Sequence, residues 1–367
     1  MPYLCKFIFI FYFLFFISGV FADDAVIKKK IPDKIPLVES STDDLDRLST
    51  ACLDFFKKSK DDAVINGGAS ILASGITQAD VLRTLEYINT IQMEDREFIK
   101  LGKKQADGSA WCYRMSKYWY LAQNFDFYRI YGDQSNAKIS KIDLPFGKIQ
   151  VTKYAIFELE VSAQASKRNN TEIYALPEWI SPKTNNPPYR LRYSKQNIFD
   201  GVFRKDGEAE GRAKVLAYTT RANVESVMLQ GTFIACFEDG SKKIFAIAGT
   251  NEEPFDVKLR QAKQKRYIYF KESDGYYGFG KTKEDKIKIE PGLTFAGDVT
   301  SFGVGKLMLM CFDDPTSKKT KAKLGILADT GSAFVDNTFH LDFLLGAFDS
   351  HKSFYKEADK IPSFCDV

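Results

Sequence analysis

From about Trp111 onward the chain breaks into short strand-like runs, and no other feature limits its fold so tightly. KIQVTKYAIFELEV, VESVMLQGTFIACF, KKIFAIAG, RYIYFK, LTFAGDV, KLMLMCF and LGILAD are separated by Gly, Asp, Asn or Pro. No strand-helix-strand rhythm links them, which argues for a barrel or a sandwich rather than a parallel doubly wound sheet. Upstream the period is helical. Leu45, Leu48, Cys52, Phe55 and Phe56 recur at three- and four-residue intervals behind Thr42 as the expected cap, and a second helix from Thr77 carries Val81, Leu85, Ile88 and Ile91. The fold class expected is mainly β, α+β as a whole, with a helical region over 42–139.

Residues 7–22 (FIFIFYFLFFISGVFA) follow a single Lys6 and end in small residues before Asp23. This reads as a signal peptide over 1–22, too short for a comfortable span and without a stop-transfer pattern, so no stable membrane insertion is expected after cleavage. Residues 23–41, punctuated by proline, read as a linker. A formal net charge of +4 gives no polyelectrolyte footprint, and no nucleic acid is expected as partner. With Cys5 in the leader, Cys52, Cys112, Cys236, Cys311 and Cys365 remain, an odd set that allows one or two disulfides plus a free thiol in a secreted chain. No CxxC pair exists, and His340 and His351 are the two histidines. A zinc site and a histidine-activated nucleophile are therefore both disfavoured, and no metal is expected.

Three aspartates interrupt apolar runs near the C-terminus: Asp298 after LTFAG, Asp329 after LGILA, and Asp342 within FHLDFLLG. A carboxylate beside an apolar wall loses hydration, which raises its pKa and lets it hold a proton near neutrality. Strand alternation puts Phe339, Leu341 and Phe343 on one face and His340, Asp342 and Leu344 on the other, with His340 and Asp342 ~7 Å apart between Cα atoms. Asp329 enters the small-residue turn TGSA, where backbone N–H groups are accessible. Each acid could equally cap a turn.

LTFAGDVTSFGVGKLML followed by LGILADTGSAF and HLDFLLG resembles the three-aspartate barrel domain of the membrane-bound lytic murein transglycosylase A family. The order of elements is similar from Val151 to Phe348. VESVMLQGTF resembles the family's QGSG strand, IAGTN (247–251) its YAGKN, RYIYFKES its FVFF strand, VTKYAIFELEVSAQ its TGYYEP and EIYALP its PIYGLP. Lys153 and Ala155 stand where TGYY has Gly and the second Tyr, Phe233 replaces the last Gly of QGSG, and Ser332 the second glycine of DTGGA. These departures fall on the glycan groove and leave the DTG and HxD elements in place.

The resemblance implies a double-psi β-barrel from 140–160 and 265–350, with a second β domain inserted over 161–264 and a groove between them for a peptidoglycan strand. It implies a monomer outside the cytoplasm, in the periplasm or cell envelope if the source is bacterial. It also implies a lytic transglycosylase that cleaves the β-1,4 bond between N-acetylmuramic acid and N-acetylglucosamine, giving a 1,6-anhydro product without a cofactor. Asp342 matches the family's catalytic aspartate, and Asp329 the DTG aspartate that accompanies it. Thr152, Tyr154, Gln230 and Asn251 match groove positions, and Asp298 completes the expected substrate-binding set. A non-catalytic, expansin-like glycan binder, a barrel glycoside hydrolase and a structural envelope protein remain open as alternatives.

Overall fold

The computed structural model describes residues 26–59, 61–132, 143–177, 187–254, 256, 258–281, 284–335 and 337–367. The expected signal peptide lies outside the described residues. The N-terminal part comprises β1 (Val26–Lys29), β2 (Leu37–Val38), α1 (Leu45–Lys58), α2 (Asp62–Asn66), α3 (Ala69–Ala73), α4 (Gln78–Lys100), α5 (Tyr118–Asn124) and β3 (Tyr128–Tyr131). Then follow β4 (Ile149–Val161), β5 (Thr171–Tyr174), α6 (Lys195–Phe199), β6 (Val215–Thr219), α7 (Arg221–Gln230), β7 (Thr232–Phe237), β8 (Lys242–Thr250) and β9 (Ile268–Ser273). The C-terminal part holds β10 (Thr294–Ala296), α8 (Val299–Phe302), β11 (Leu307–Asp313), β12 (Thr320–Asp329), β13 (His340–Phe348), α9 (His351–Ala358) and β14 (Phe364–Cys365). None of the described helices is long and apolar enough to cross a membrane.

The main sheet runs β11-β12-β10-β13-β4-β7-β8-β9, with β2 added to β12 and β14 to β4. The fold is thus mixed α+β with a sheet core. Among the described residues the strands follow one path from β11 to β9. Two hydrophobic cores flank the sheet. One joins Leu45, Leu48, Leu85 and Ile88 of the helices to Phe295, Leu327 and Phe343 of the sheet. The other unites Phe157, Phe233, Phe245, Tyr267 and Phe270 with Phe354 of α9.

The helical stripes pack as their period requires, and α4 starts at a reciprocal cap in which Thr77 Oγ1 accepts from Asp80 N while Thr77 N donates to Asp80 Oδ2. Thr42 does not cap α1. The N-cap is Asp44, and the Thr42 hydroxyl is buried without a partner among the described residues.

Three further expectations are corrected. Of the residues read as a linker, 26–41 are built into the fold, because β1 pairs with β3 and β2 with β12. Ser40 is buried, its hydroxyl donating to Leu324 O at 2.9 Å and accepting from Leu324 N at 2.6 Å. VESVMLQ is helix rather than strand: Thr220 caps α7, and Gly231, at φ 80°, ends it in the left-handed region before β7 begins. Among the described residues Cys52, Cys112, Cys236, Cys311 and Cys365 are all free. Cys311 pairs across with Asp366, so the adjacent Cys365 projects to the opposite face.

Ser40→Ala would strand both backbone groups of Leu324 in the core. It is expected to lower unfolding stability by about 1–3 kcal/mol in urea titration, whereas a true linker residue would leave the midpoint unchanged.

Candidate active site

Three residues of β10 position the site. Ala296 is the cross-strand partner of Asp329 in parallel β12 and of Asp342 in antiparallel β13. Residues paired across neighbouring strands share a face, so both carboxylates project on either side of a methyl group. The opposite face is apolar: the rings of Phe295 and Phe343 pack at a tilt with centroids 4.7 Å apart, and Leu327, Leu341 and Phe343 are buried.

The fourth strand of the site is β4, parallel to β13, with Thr152 opposite Asp342 and Tyr154 opposite Leu344. Tyr154 Oη donates to Asp329 Oδ2 at 2.8 Å, and Thr330 N donates to Asp329 Oδ1 at 2.8 Å. Thr330 Oγ1 in turn donates to Gly297 O at 2.8 Å, tying the turn after β12 to the end of β10. Gly278 lies directly behind: a Cβ there would stand 3.0 Å from Asp329 Cβ and 2.5 Å from Ala328 O.

Both acids retain partial exposure as residues, but their carboxyl groups lie deep, and Asp342 Oδ1 is buried without a partner among the described residues. Burial pushes the Asp342 carboxyl up to about 7; the negative charge of Asp329 adds to this, while the Thr152 hydroxyl, the Phe343 N–H and Lys153 oppose it. Burial likewise pushes Asp329 up to about 6, against the donors Tyr154 and Thr330 and the charge of Lys286. Asp329 ionises first, and its charge helps Asp342 keep a proton. A pair with separated proton affinities in one hollow suits general acid–base chemistry.

The expected site residues divide accordingly. Thr152, Tyr154, Asp329 and Asp342 come together. Asp298 sits two residues after Ala296, but both of its oxygens are engaged: Oδ1 accepts from Thr300 N at 3.0 Å and Ser301 N at 3.2 Å, and Oδ2 from Ser301 Oγ at 2.8 Å. It starts α8. Asn251 is buried in the second core, donating to Tyr193 O and Lys265 O and accepting from Tyr267 N. Gln230 ends α7 with its amide unpaired among the described residues. Sequence reasoning overlooked Ala296; its one signal was a small residue interrupting the apolar LTF run.

No family model matches the chain. No curated protein matches it either. Among solved structures, the fold is similar to a membrane-bound lytic murein transglycosylase from Agrobacterium tumefaciens (16% identity, TM-score 0.55, 93% of this chain and 96% of that one). It is similar to MltA of Escherichia coli with bound chitohexaose (14%, 0.55, 95% and 94%) and to MltA of Neisseria gonorrhoeae (14%, 0.54, 90% and 89%). At these identities the likeness is one of fold, and it extends over nearly the whole of each chain.

Because folding raises both proton affinities, the stability they contribute is complete below the ordinary value of 3.8 and is lost as pH rises through about 6 and about 7. Asp342→Asn removes one of these ionisations. Relative to wild type the variant should gain about 4 kcal/mol in unfolding free energy between pH 4 and pH 8. Urea titrations at those two pH values read this directly, and parallel pH dependences would contradict the burial of Asp342.

Proposed function

We propose that the chain is a peptidoglycan lytic transglycosylase that cleaves the β-1,4 bond between N-acetylmuramic acid and N-acetylglucosamine, with Asp342 as acid and then base. The observation that carries this reading is the buried Asp342 carboxyl, which holds its proton near neutrality beside Asp329, a weaker holder of its own. The likeness of fold to murein transglycosylases, one of them solved with chitohexaose, supports the substrate class.

In the reaction Asp342 gives its proton to the glycosidic oxygen as the C1–O bond breaks. Positive charge develops at C1, and the ionised Asp329 lies close enough to Asp342 to favour it. The C6 hydroxyl of the muramic residue attacks C1, and its proton passes to the Asp342 carboxylate. The 1,6-anhydro ring closes and the enzyme returns to its starting state. One carboxyl performs both transfers, in contrast to glycosidases whose second carboxylate activates water or forms a covalent intermediate.

Thr152 and Tyr154 act here chiefly on the two acids, while Gln230, with its free amide, is the stronger candidate for a sugar contact. Asn251 and Asp298 hold the connections around the groove. We further infer that the sheet wraps as a double-psi barrel, that residues 161–264 form the facing wall, and that a monomer acts outside the cytoplasm after loss of its leader.

Digestion of purified peptidoglycan by the mature protein tests this. Mass spectrometry is expected to find anhydro-muropeptides, and Asp342→Asn should lower their release about 10³-fold. Wild-type turnover should fall as pH rises through about 7, because the acid is then ionised. Reducing-end products would instead indicate a hydrolase, and retention on peptidoglycan without products a binding protein.

A further inference from the structure

The hydrogen bonds that run from Asn337 through His340 to Thr152 have a direction that one backbone carbonyl fixes. Asn337 Nδ2 lies 2.9 Å from Ala333 O, and only the amino end of the amide can donate to a carbonyl. The same Nδ2 stands 3.2 Å from His340 Nδ1, which must therefore accept. The ring proton is left on Nε2, 2.7 Å from Thr152 Oγ1. That oxygen now receives a hydrogen bond, so its own proton must go elsewhere. Leu341 O accepts from it at a long 3.4 Å, and Asp342, opposite Thr152 in register, offers its carboxyl as the alternative acceptor. The imidazole packs on Phe334, with ring centroids 5.0 Å apart, which holds its plane.

We propose that Asn337 and His340 are positioning residues: together they lock the Nε2–H tautomer of the imidazole, which directs the Thr152 hydroxyl proton toward Asp342 and sets how firmly that acid holds its own proton. This rests on the reading of Asp342 as the glycosidic acid. His340 itself is no base. Burial holds its ring down to about 4, so it stays neutral while Asp342 titrates.

The other titratable groups facing Asp342 are Asp329 from β12 and Lys153 and Tyr154 from β4. Asp329 raises the acid's proton affinity and Lys153 lowers it, and neither touches Thr152. Without the imidazole donor the Thr152 hydroxyl settles on Leu341 O, the acceptor that already takes its long 3.4 Å bond. The Asp342 carboxylate loses a donor, and its midpoint must rise.

Two measurements on the full mature chain test this. In ¹⁵N spectra of wild type at pH 7, His340 should carry its proton on Nε2, and Asn337→Ala should give a mixture of tautomers. A proton on Nδ1 in wild type overturns the proposal. In ¹³C carboxyl titrations, His340→Leu and Thr152→Val should each raise the Asp342 midpoint by about one pH unit, and the double variant should raise it no further than either single change. His340→Gln, which places an amide donor near the Nε2 position, should restore most of the wild-type midpoint. Unchanged midpoints, or shifts that add, overturn the chain of donors. The pH profile of anhydro-product release should move with the midpoint, whereas a merely structural loss would lower the rate without moving it. Shifted midpoints in a chain that releases no anhydro product would support the donor chain while refuting the proposed activity.

Discussion

Burial of two carboxyl groups on either side of one alanine is the constraint around which the rest of the molecule is arranged. β10 is three residues long and is bonded on both edges, so Ala296 cannot shift without breaking the pairing with β12 or β13. A larger side chain there would fill the space the carboxyls use, and a polar one would hydrate them. The aromatic wall behind, Phe295 against Phe343, keeps the strand dry. Asp329 then receives one side-chain donor from β4, Tyr154, while Thr152 stands opposite Asp342 in register, and this modest compensation leaves both proton affinities raised. A fully bonded carboxylate such as Asp314, held well below the usual range by Lys321 and two backbone N–H groups, illustrates the opposite arrangement.

The helical N-terminal part belongs to the same construction. It shares one hydrophobic core with the sheet, and its contact with α8 is backbone against backbone: Val304 N donates to Val64 O and Gly68 N to Ser301 O. Gly67 makes this approach possible, since a Cβ there would lie 2.8 Å from Phe302 C. Asp298 starts α8 from its other end. The aspartate that sequence placed beside the chemistry thus fixes the turn by which the helical region braces β10.

How much of this was legible follows from the range of the interactions. The helical stripes, the Thr77 start, the short strands and the shared face of His340 and Asp342 were readable, because each depends on spacing within a few residues. The raised proton affinity of Asp342 was readable as well, from an acid set in an apolar run. VESVMLQ was not: its hydrophobic residues fit either period, and only the Gly231 turn decides for helix. The structure built into 26–41 was invisible because β2 and Ser40 find their partners in β12, far along the chain. Asn251 matched a groove motif, yet its amide is spent on three backbone groups brought together by the fold. The role of His340 needed the turn at Ala333 to Asn337, whose direction no periodicity encodes.

The central claim is that Asp342 carries a proton at neutral pH because folding removes it from water next to Asp329. Site-resolved ¹³C titration of the wild-type aspartates in the folded chain addresses it most directly. The midpoint should lie near 7 for Asp342 and near 6 for Asp329. Both aspartates titrating near 3.8, as exposed carboxylates do, would contradict it.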